Sequence, residues 1–254
     1  MSSFYNRLQK VLFEADVILE VIDARFPDIM RNYGIERHVK QKGKELILVL
    51  NKSDLISKSR SEKLKQELSK EFNCVFISTK KHAGLNRLKA FLSMQTKKFN
   101  RSIKVGIVGL PNAGKSSLIN SIIHRRSAKT SAQAGYTKGE QLIRLSESIY
   151  FLDSPGIIPF NEEDFFKLML VNAKSVNQLR DIEDLALRLI EFIQARNPIV
   201  LRKFYSFKKE TTDADDVLAE IAIAKNRLLK QGRPDLIAAS RILISDWQVG
   251  KIRL

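Results

Sequence analysis

The sequence predicts an α/β fold: a mostly parallel sheet with helices on both faces, followed by a small α-helical C-terminal domain. Three observations predict it. Four strand-length apolar runs, "VILEVID" (17–23), "ELILVLN" (45–51), "CVFIS" (74–78) and "IKVGIVG" (103–109), alternate with helical patterns. Strands that are apolar throughout, rather than at every second residue, are covered on both faces. A glycine-rich stretch, "GLPNAGKSS" (109–117), sits between the fourth run and a helical pattern. After about residue 172 the strand-like runs stop and helical patterns alone continue.

Each element follows in order. The amphipathic "FYNRLQKVLFEA" precedes the first strand, and "NYGIERHVKQKG" forms a helix before the second. "SRSEKLKQELSKEF" (59–72) spaces Leu64, Leu68 and Phe72 four residues apart, one face of a helix. "GLNRLKAFLSMQTKKF" (84–99) does the same with Leu85, Leu88, Phe91 and Leu92. "KSSLINSIIHRR" is the helix after the glycine-rich loop, and "EQLIRLS" and "SIYFLDS" are strands paired as a hairpin around Glu147. Residues 176–196, 216–232 and 234–250 read as helices, with Pro234 in a first helical turn. The expected division is a domain over 1–174 and a helical domain over 175–254.

Composition excludes several classes. A chain of 254 residues can bury a sizeable core, and its apolar runs are far too short to cross a bilayer. The opening "MSSFYNRLQKVLFEAD" lacks the continuous apolar stretch of a secretory signal. A single cysteine, Cys74, in an apolar run reads as a small core residue, so a reducing, cytoplasmic location is expected. Net charge is +16, and residues 1–100 alone carry 20 basic against 11 acidic side chains. A field of one sign over the whole chain suits a polyanionic partner, though a merely soluble basic surface has the same composition.

The motifs narrow the chemistry. Gly109-x-x-x-x-Gly114-Lys115-Ser116 matches a phosphate-binding loop, with a strand before it and a helix after. Its glycines let the loop after Pro111 turn the backbone N–H groups of Asn112, Ala113, Gly114 and Lys115 toward phosphates. Lys115 reaches the β and γ oxygens, and the Ser116 hydroxyl, followed by Ser117, faces Mg²⁺. "LDSPG" (152–156) ends a strand with Asp153, an acid that can hold the metal through water, and Gly156, whose amide can approach a γ-phosphate. "NKSD" (51–54) follows another strand: Asp54 can accept from the N1–H and N2–H₂ edge of guanine, which adenine does not offer. Asn51 would tether the loop and Lys52 would lie over the base. "STK" (Ser78, Thr79, Lys80) offers backbone N–H groups to the guanine oxygen. Each motif alone also fits a plain turn; together they make a guanine pocket, selective because a mismatched base leaves buried polar groups unpaired.

In chain order, NKSD, STK, GLPNAGKS, a threonine in "AGYTKG" and DSPG resemble the circularly permuted P-loop GTPases of the YlqF/YawG type, a group that includes ribosome biogenesis GTPase A. "DARFP" (23–27) resembles the group's D-A-R-x-P motif, and "GRPDLIAASRILISDWQVGKI" its C-terminal pattern. The resemblance implies GTP/GDP and Mg²⁺ as ligands, with Thr137 as the switch threonine on the metal. Thr130 is the alternative, because Ala134 stands where the group usually has proline. It also suggests Asn112 as a K⁺ ligand; the residue itself reads equally as a turn former. The implied partner is the precursor of the large ribosomal subunit and its rRNA, with no membrane and a monomeric chain.

Catalysis departs from the pattern. Ile157 stands where many GTPases have a water-positioning glutamine, and it can neither orient nor deprotonate water. Close bacterial relatives carry an N-terminal W-F-P-G-H-M stretch whose histidine is proposed to substitute, which "MSSFYNRLQK" does not match. His38, His82 and His124 read as surface residues. The expectation is slow intrinsic hydrolysis, stimulated by K⁺, by a partner, or by both. Two further readings stand beside a ribosome assembly factor: a GTP-regulated module for another RNA or protein, and a nucleotide-sensing scaffold with negligible hydrolysis.

Overall fold

The computed structural model describes residues 3–127, 142–152, 165–172 and 174–253. The chain divides into two compact units, 1–159 and 160–254.

The first unit opens with helix α1 (Ser3–Glu14), strand β1 (Val17–Asp23), a single turn α2 (Pro27–Met30) and α3 (Tyr33–Gln41). Strand β2 (Glu45–Asn51), α4 (Lys58–Leu68), β3 (Asn73–Phe76), α5 (Leu85–Phe99) and β4 (Ile103–Val108) follow. Helix α6 (Lys115–Ser127) and the hairpin β5 (Leu142–Ser146) and β6 (Ile149–Leu152) complete it. Among the described residues these strands form a six-stranded sheet in the order β3-β2-β1-β4-β6-β5, parallel except for β5.

Every residue of β1 is buried. Successive strand residues point to opposite faces, so helices must cover the sheet on both sides. Gly106 on β4 shows how tight that cover is: a Cβ there would lie 2.8 Å from a Val11 methyl and 3.0 Å from Ala15 Cβ, at the C-terminal end of α1. Lys44 closes the same end of α1, its ammonium donating to the carbonyls of Leu12 (2.7 Å) and Ala15 (2.8 Å). The order of the strands matters most for function. The chain moves outward from β1 through β2 to β3, then crosses back over both to enter at β4 beside β1. That reversal opens a crevice at the carboxyl ends of β1 and β4, where ligands of open α/β sheets bind.

The second unit is helical. It holds α7 (Phe165–Leu170), a 3₁₀ turn (Val176–Gln178), α8 (Ile182–Gln194), α9 (Val200–Tyr205), α10 (Ala214–Ala224) and α11 (Leu236–Gln248). Leu185, Leu189 and Ile193 on α8, Val217 and Ile221 on α10, and Leu243 and Trp247 on α11 form its core. Trp247 is fully buried, as the reading of that stretch as helix–helix core expects.

Several boundaries differ from the sequence reading. The division falls at 159/160, ahead of 174/175, because α7 packs on α8 and α11 through buried Leu168, Met169 and Leu170. The helix read over 176–196 starts at Ile182, after Asp181 takes a left-handed backbone (φ 48°). The helix read over 216–232 ends at Ala224, and Asn226 turns left-handed at φ 52°. Pro234 lies outside α11, whose N-cap is Asp235, its carboxylate accepting from Ala238 N–H at 2.9 Å. Among the described residues no helix is long and apolar enough to cross a membrane.

Candidate functional site

The glycine-rich loop leaves β4 in the crevice and ends at the first residue of α6. Gly109 has φ +145°, and a Cβ there would lie 2.4 Å from the Val21 carbonyl of β1, so any other residue would push the loop off the strand. Gly114 has φ +98°, and its Cβ would lie 2.1 Å from Asn51 Nδ2. These two close approaches fit the loop against β1 and against the last residue of β2. Asn112 is exposed with a left-handed backbone (φ 56°), and Pro111 and Ala113 flank it. Ser116 and Ser117 are exposed on the first turn of α6, where the helix presents its unpaired N–H groups.

Lys115 is the charged centre of the loop. It is 9% exposed, and its ammonium donates to the carbonyls of Gly109 (2.9 Å) and Leu110 (2.5 Å). Burial pushes its pKa down to about 8. A buried ammonium held by neutral carbonyls suits an anion that would restore its charge balance. The loop's donors therefore fit a phosphate chain.

Asn51, at the end of β2, joins this loop to the other strand ends. Its side-chain amide donates to the Ala113 carbonyl (2.9 Å), and its carbonyl oxygen accepts from the Thr79 N–H (3.2 Å). Asp54 lies in a 3₁₀ turn (Ser53–Leu55) just beyond, its Oδ1 accepting from the Ser78 hydroxyl at 2.6 Å. The Ser78 hydroxyl in turn accepts from Lys81 N–H (3.0 Å), which fixes the carboxylate's direction. Three of the sequence motifs, 51–54, 78–80 and 109–117, are thus one cluster of side chains.

Two details differ from the sequence reading. The Ser78 and Thr79 amides are engaged by Ala83 O and by Asn51, so Lys80 N–H is the amide of that stretch left to face a base. Lys52 also has a partner that the sequence reading did not give it: its ammonium pairs with Asp23 Oδ2 at 2.8 Å. Sequence reasoning gave Asp23 and Arg25 no role at the site; their place beside NKSD comes from the pairing of β1 with β2. His38 is half-buried on α3, His82 is exposed, and the His124 side chain lies outside the described residues. Thr130, Thr137, Asp153, Gly156 and Ile157 also lie outside the described residues.

Comparison with known proteins agrees with this geometry. A family model described as RsgA GTPase matches residues 6–163, and one described as 50S ribosome-binding GTPase matches residues 104–229. The chain is 36% identical over 246 residues to an uncharacterized GTP-binding protein of Methanocaldococcus jannaschii, covering 96% of this chain and 65% of that protein. It is 32% identical to the guanine nucleotide-binding protein-like NSN1 of Arabidopsis thaliana, covering 98% and 47%. It is 31% identical to nucleolar GTP-binding protein 2 of Schizosaccharomyces pombe, covering 98% and 47%. The chain spans less than two thirds of the length of each of these relatives. GNP-bound YlqF from T. maritima superposes with a TM-score of 0.62 at 23% identity, over 98% of this chain and 95% of that one. Its GDP-bound form gives 0.64 at 24%, over 96% and 95%. With the phosphate loop late in the chain yet central in the sheet, and the family model covering residues 6–163, this chain belongs to the RsgA GTPase family and has the circularly permuted P-loop fold of YlqF.

Proposed function

We propose that the chain binds and hydrolyses GTP and acts as an assembly factor for the large ribosomal subunit, docking on rRNA in its GTP state. The observation that carries the nucleotide part is Asn51, whose one side chain links the phosphate loop at Ala113 to the loop at Thr79. In this reading Asp54 accepts from the guanine N1–H and N2–H₂ groups, and the Lys80 N–H, at the end of Ser78–Lys80, serves the base oxygen. The N–H groups of Asn112, Ala113, Gly114 and Lys115, beyond Pro111, cradle the phosphates, with the Lys115 ammonium on the β and γ oxygens. Ser116, Thr137 and Asp153 hold Mg²⁺, which supplies charge neutralisation on the phosphates when bound. In the same reading Asn112 would take K⁺, as the family resemblance suggests, and Gly156 would meet the γ-phosphate. Since Ile157 cannot position water, hydrolysis is slow until K⁺ or the ribosomal particle assists.

The ribosomal part is supported by the match to 50S ribosome-binding GTPases and by relatives named as nucleolar GTP-binding proteins. It is supported also by one surface of the helical unit. Residues 225–233, "KNRLLKQGR", are all exposed and carry Lys225, Arg227, Lys230 and Arg233 without an acid. Their backbone is ordered by its own hydrogen bonds, Leu229 N–H to Arg233 O at 2.7 Å and Asp235 N–H to Arg227 O at 2.9 Å. A preformed cationic turn of this kind suits phosphate contacts on structured RNA. In sequence, "DSPG" stands directly before the helical unit, so the nucleotide's γ-phosphate can govern that unit's presentation. We place the protein in the cytoplasm as a monomer.

Base recognition is tested by Asp54→Asn. Titration calorimetry with GDP and xanthosine diphosphate should show preference moving to xanthine by about a hundredfold. A retained preference for GDP would remove the guanine assignment.

A further inference from the structure

We propose that Asp23, held by Arg25, is the positioning residue for Lys52, fixing that lysine's stem across the base plane of a bound guanine nucleotide. The inference rests on the guanine-pocket reading above.

Strands β1 and β2 end side by side, with Asp23 opposite Asn51. The Ala24 N–H donates to the Asn51 carbonyl at 2.8 Å, so the residue after Asp23 is stitched to the strand end that carries the pocket. Lys52 then takes a left-handed backbone, φ 58°, rare outside glycine and asparagine. Its ammonium meets Asp23 Oδ2 at 2.8 Å while its side chain stays 27% exposed.

Asp23 itself is 1% exposed and is gripped from one side by Arg25. Its Oδ1 accepts from Arg25 N–H (3.1 Å) and Arg25 Nε–H (3.1 Å), and its Oδ2 from Arg25 Nη2–H (2.9 Å). Arg25, 2% exposed, also lies over the Phe26 ring at 5.0 Å. Burial opposes ionisation of Asp23, but the Arg25 guanidinium and then the Lys52 ammonium outweigh it and hold the carboxyl below its usual range.

A buried ion pair adds little net stability, because desolvation offsets the attraction. The Asp23–Arg25 pair is therefore better explained by what it aims. Arg25 fixes the carboxylate in plane and leaves one lobe of Oδ2 for Lys52. A lysine stem is long and flexible, so holding its far end before the ligand arrives removes an ordering cost from binding. The cluster of two cations and one anion also leaves a net positive charge beside the place of an anionic nucleotide.

A double-mutant cycle read by calorimetric titration of GDP tests this. Asp23→Asn should weaken GDP binding about tenfold, the loss of one charge-assisted hydrogen bond. In a Lys52→Met background the same change should cost less than about twofold, because the group it acts through is gone. Equal losses in the two backgrounds would overturn the proposal. Asp23→Asn takes the carboxylate away from the buried Arg25, so the cycle is repeated with Asp23→Asn/Arg25→Gln, which removes both charges. The same non-additivity supports the proposal and additivity overturns it. Asp54→Asn keeps the two readings apart. A shift to xanthine there with additivity at Asp23 and Lys52 refutes the positioning role alone. An unshifted preference for guanine refutes the pocket on which it rests.

Discussion

Asn51 shows how much one side chain can decide. It is 1% exposed, and both ends of its amide are used, one on each flanking loop. Asn51→Ala should cost about 1–3 kcal/mol of stability, since the Ala113 carbonyl and Thr79 N–H lose their partner. GDP affinity should fall at least as much, which fluorescence titration and urea denaturation would measure side by side. Glu20 makes a different prediction. It lies mid-strand in β1, 0% exposed, with the Asn32 N–H on its Oε1 at 2.6 Å. Burial, and then the neighbouring Glu36 carboxylate, push its pKa up to about 8 from 4.5. Glu36 is itself bound by Arg31 at 2.7 and 2.8 Å, and Arg31 also reaches Glu71. The folded chain therefore holds a proton that the unfolded chain releases near pH 4.5. That stabilisation is complete below pH 4.5 and is lost as pH rises through about 8, by up to about 1.4 kcal/mol per pH unit. Glu20→Gln should flatten the profile and exceed the parent's stability at pH 8.5; a profile of unchanged slope would refute the assignment. The sequence showed Asn51 as a tether because N-K-x-D carries that chemistry in four residues. It did not show the Asp23–Lys52 pair, because only the register of β1 on β2 brings the two together.

Elements were legible where burial dictates pattern and less so where tertiary packing overrides it. Strands β1 and β2 match their apolar runs residue for residue, because a strand covered on both faces is nearly continuous in apolar residues, with Glu20 the mid-strand exception in β1. The segment 216–232 misled because its Ala, Leu, Lys and Gln favour helix, yet α10 stops at Ala224 and the chain turns back at Asn226, Gln231 and Gly232, all with positive φ. That turn supports a prediction of its own. Arg227→Gln/Lys230→Gln/Arg233→Gln should weaken binding to structured RNA without sequence preference. Filter binding against salt should lose about 0.9 of slope per phosphate contact removed. Stability of the helical unit should change little, since the three side chains are exposed. In the phosphate loop, Gly114→Ala should abolish nucleotide binding, because the new methyl falls on Asn51 Nδ2. Binding at parental strength would show that the loop and Asn51 can separate freely.

For the whole molecule, circular permutation changes which end of the nucleotide site is joined to the rest of the chain. In the proposed reading base recognition falls to residues 51–80 and phosphate binding to 109–117, and in chain order the stretch proposed to sense the γ-phosphate precedes residues 160–254. Motif order made this readable from sequence, since the crossover at β4 preserves the spatial site while moving the loop late in the chain. What the catalytic group is was not readable, because Ile157 cannot supply it. Single-turnover hydrolysis should accordingly be slow in Na⁺ buffer and rise with K⁺ or with ribosomal particles; fast turnover in Na⁺ alone would contradict the account. The most direct test of the central claim is co-sedimentation of the chain with large-subunit precursors in the presence of a non-hydrolysable GTP analogue or GDP. Pelleting with the analogue and release with GDP are expected. Equal behaviour with both nucleotides, or no association with either, would contradict the claim.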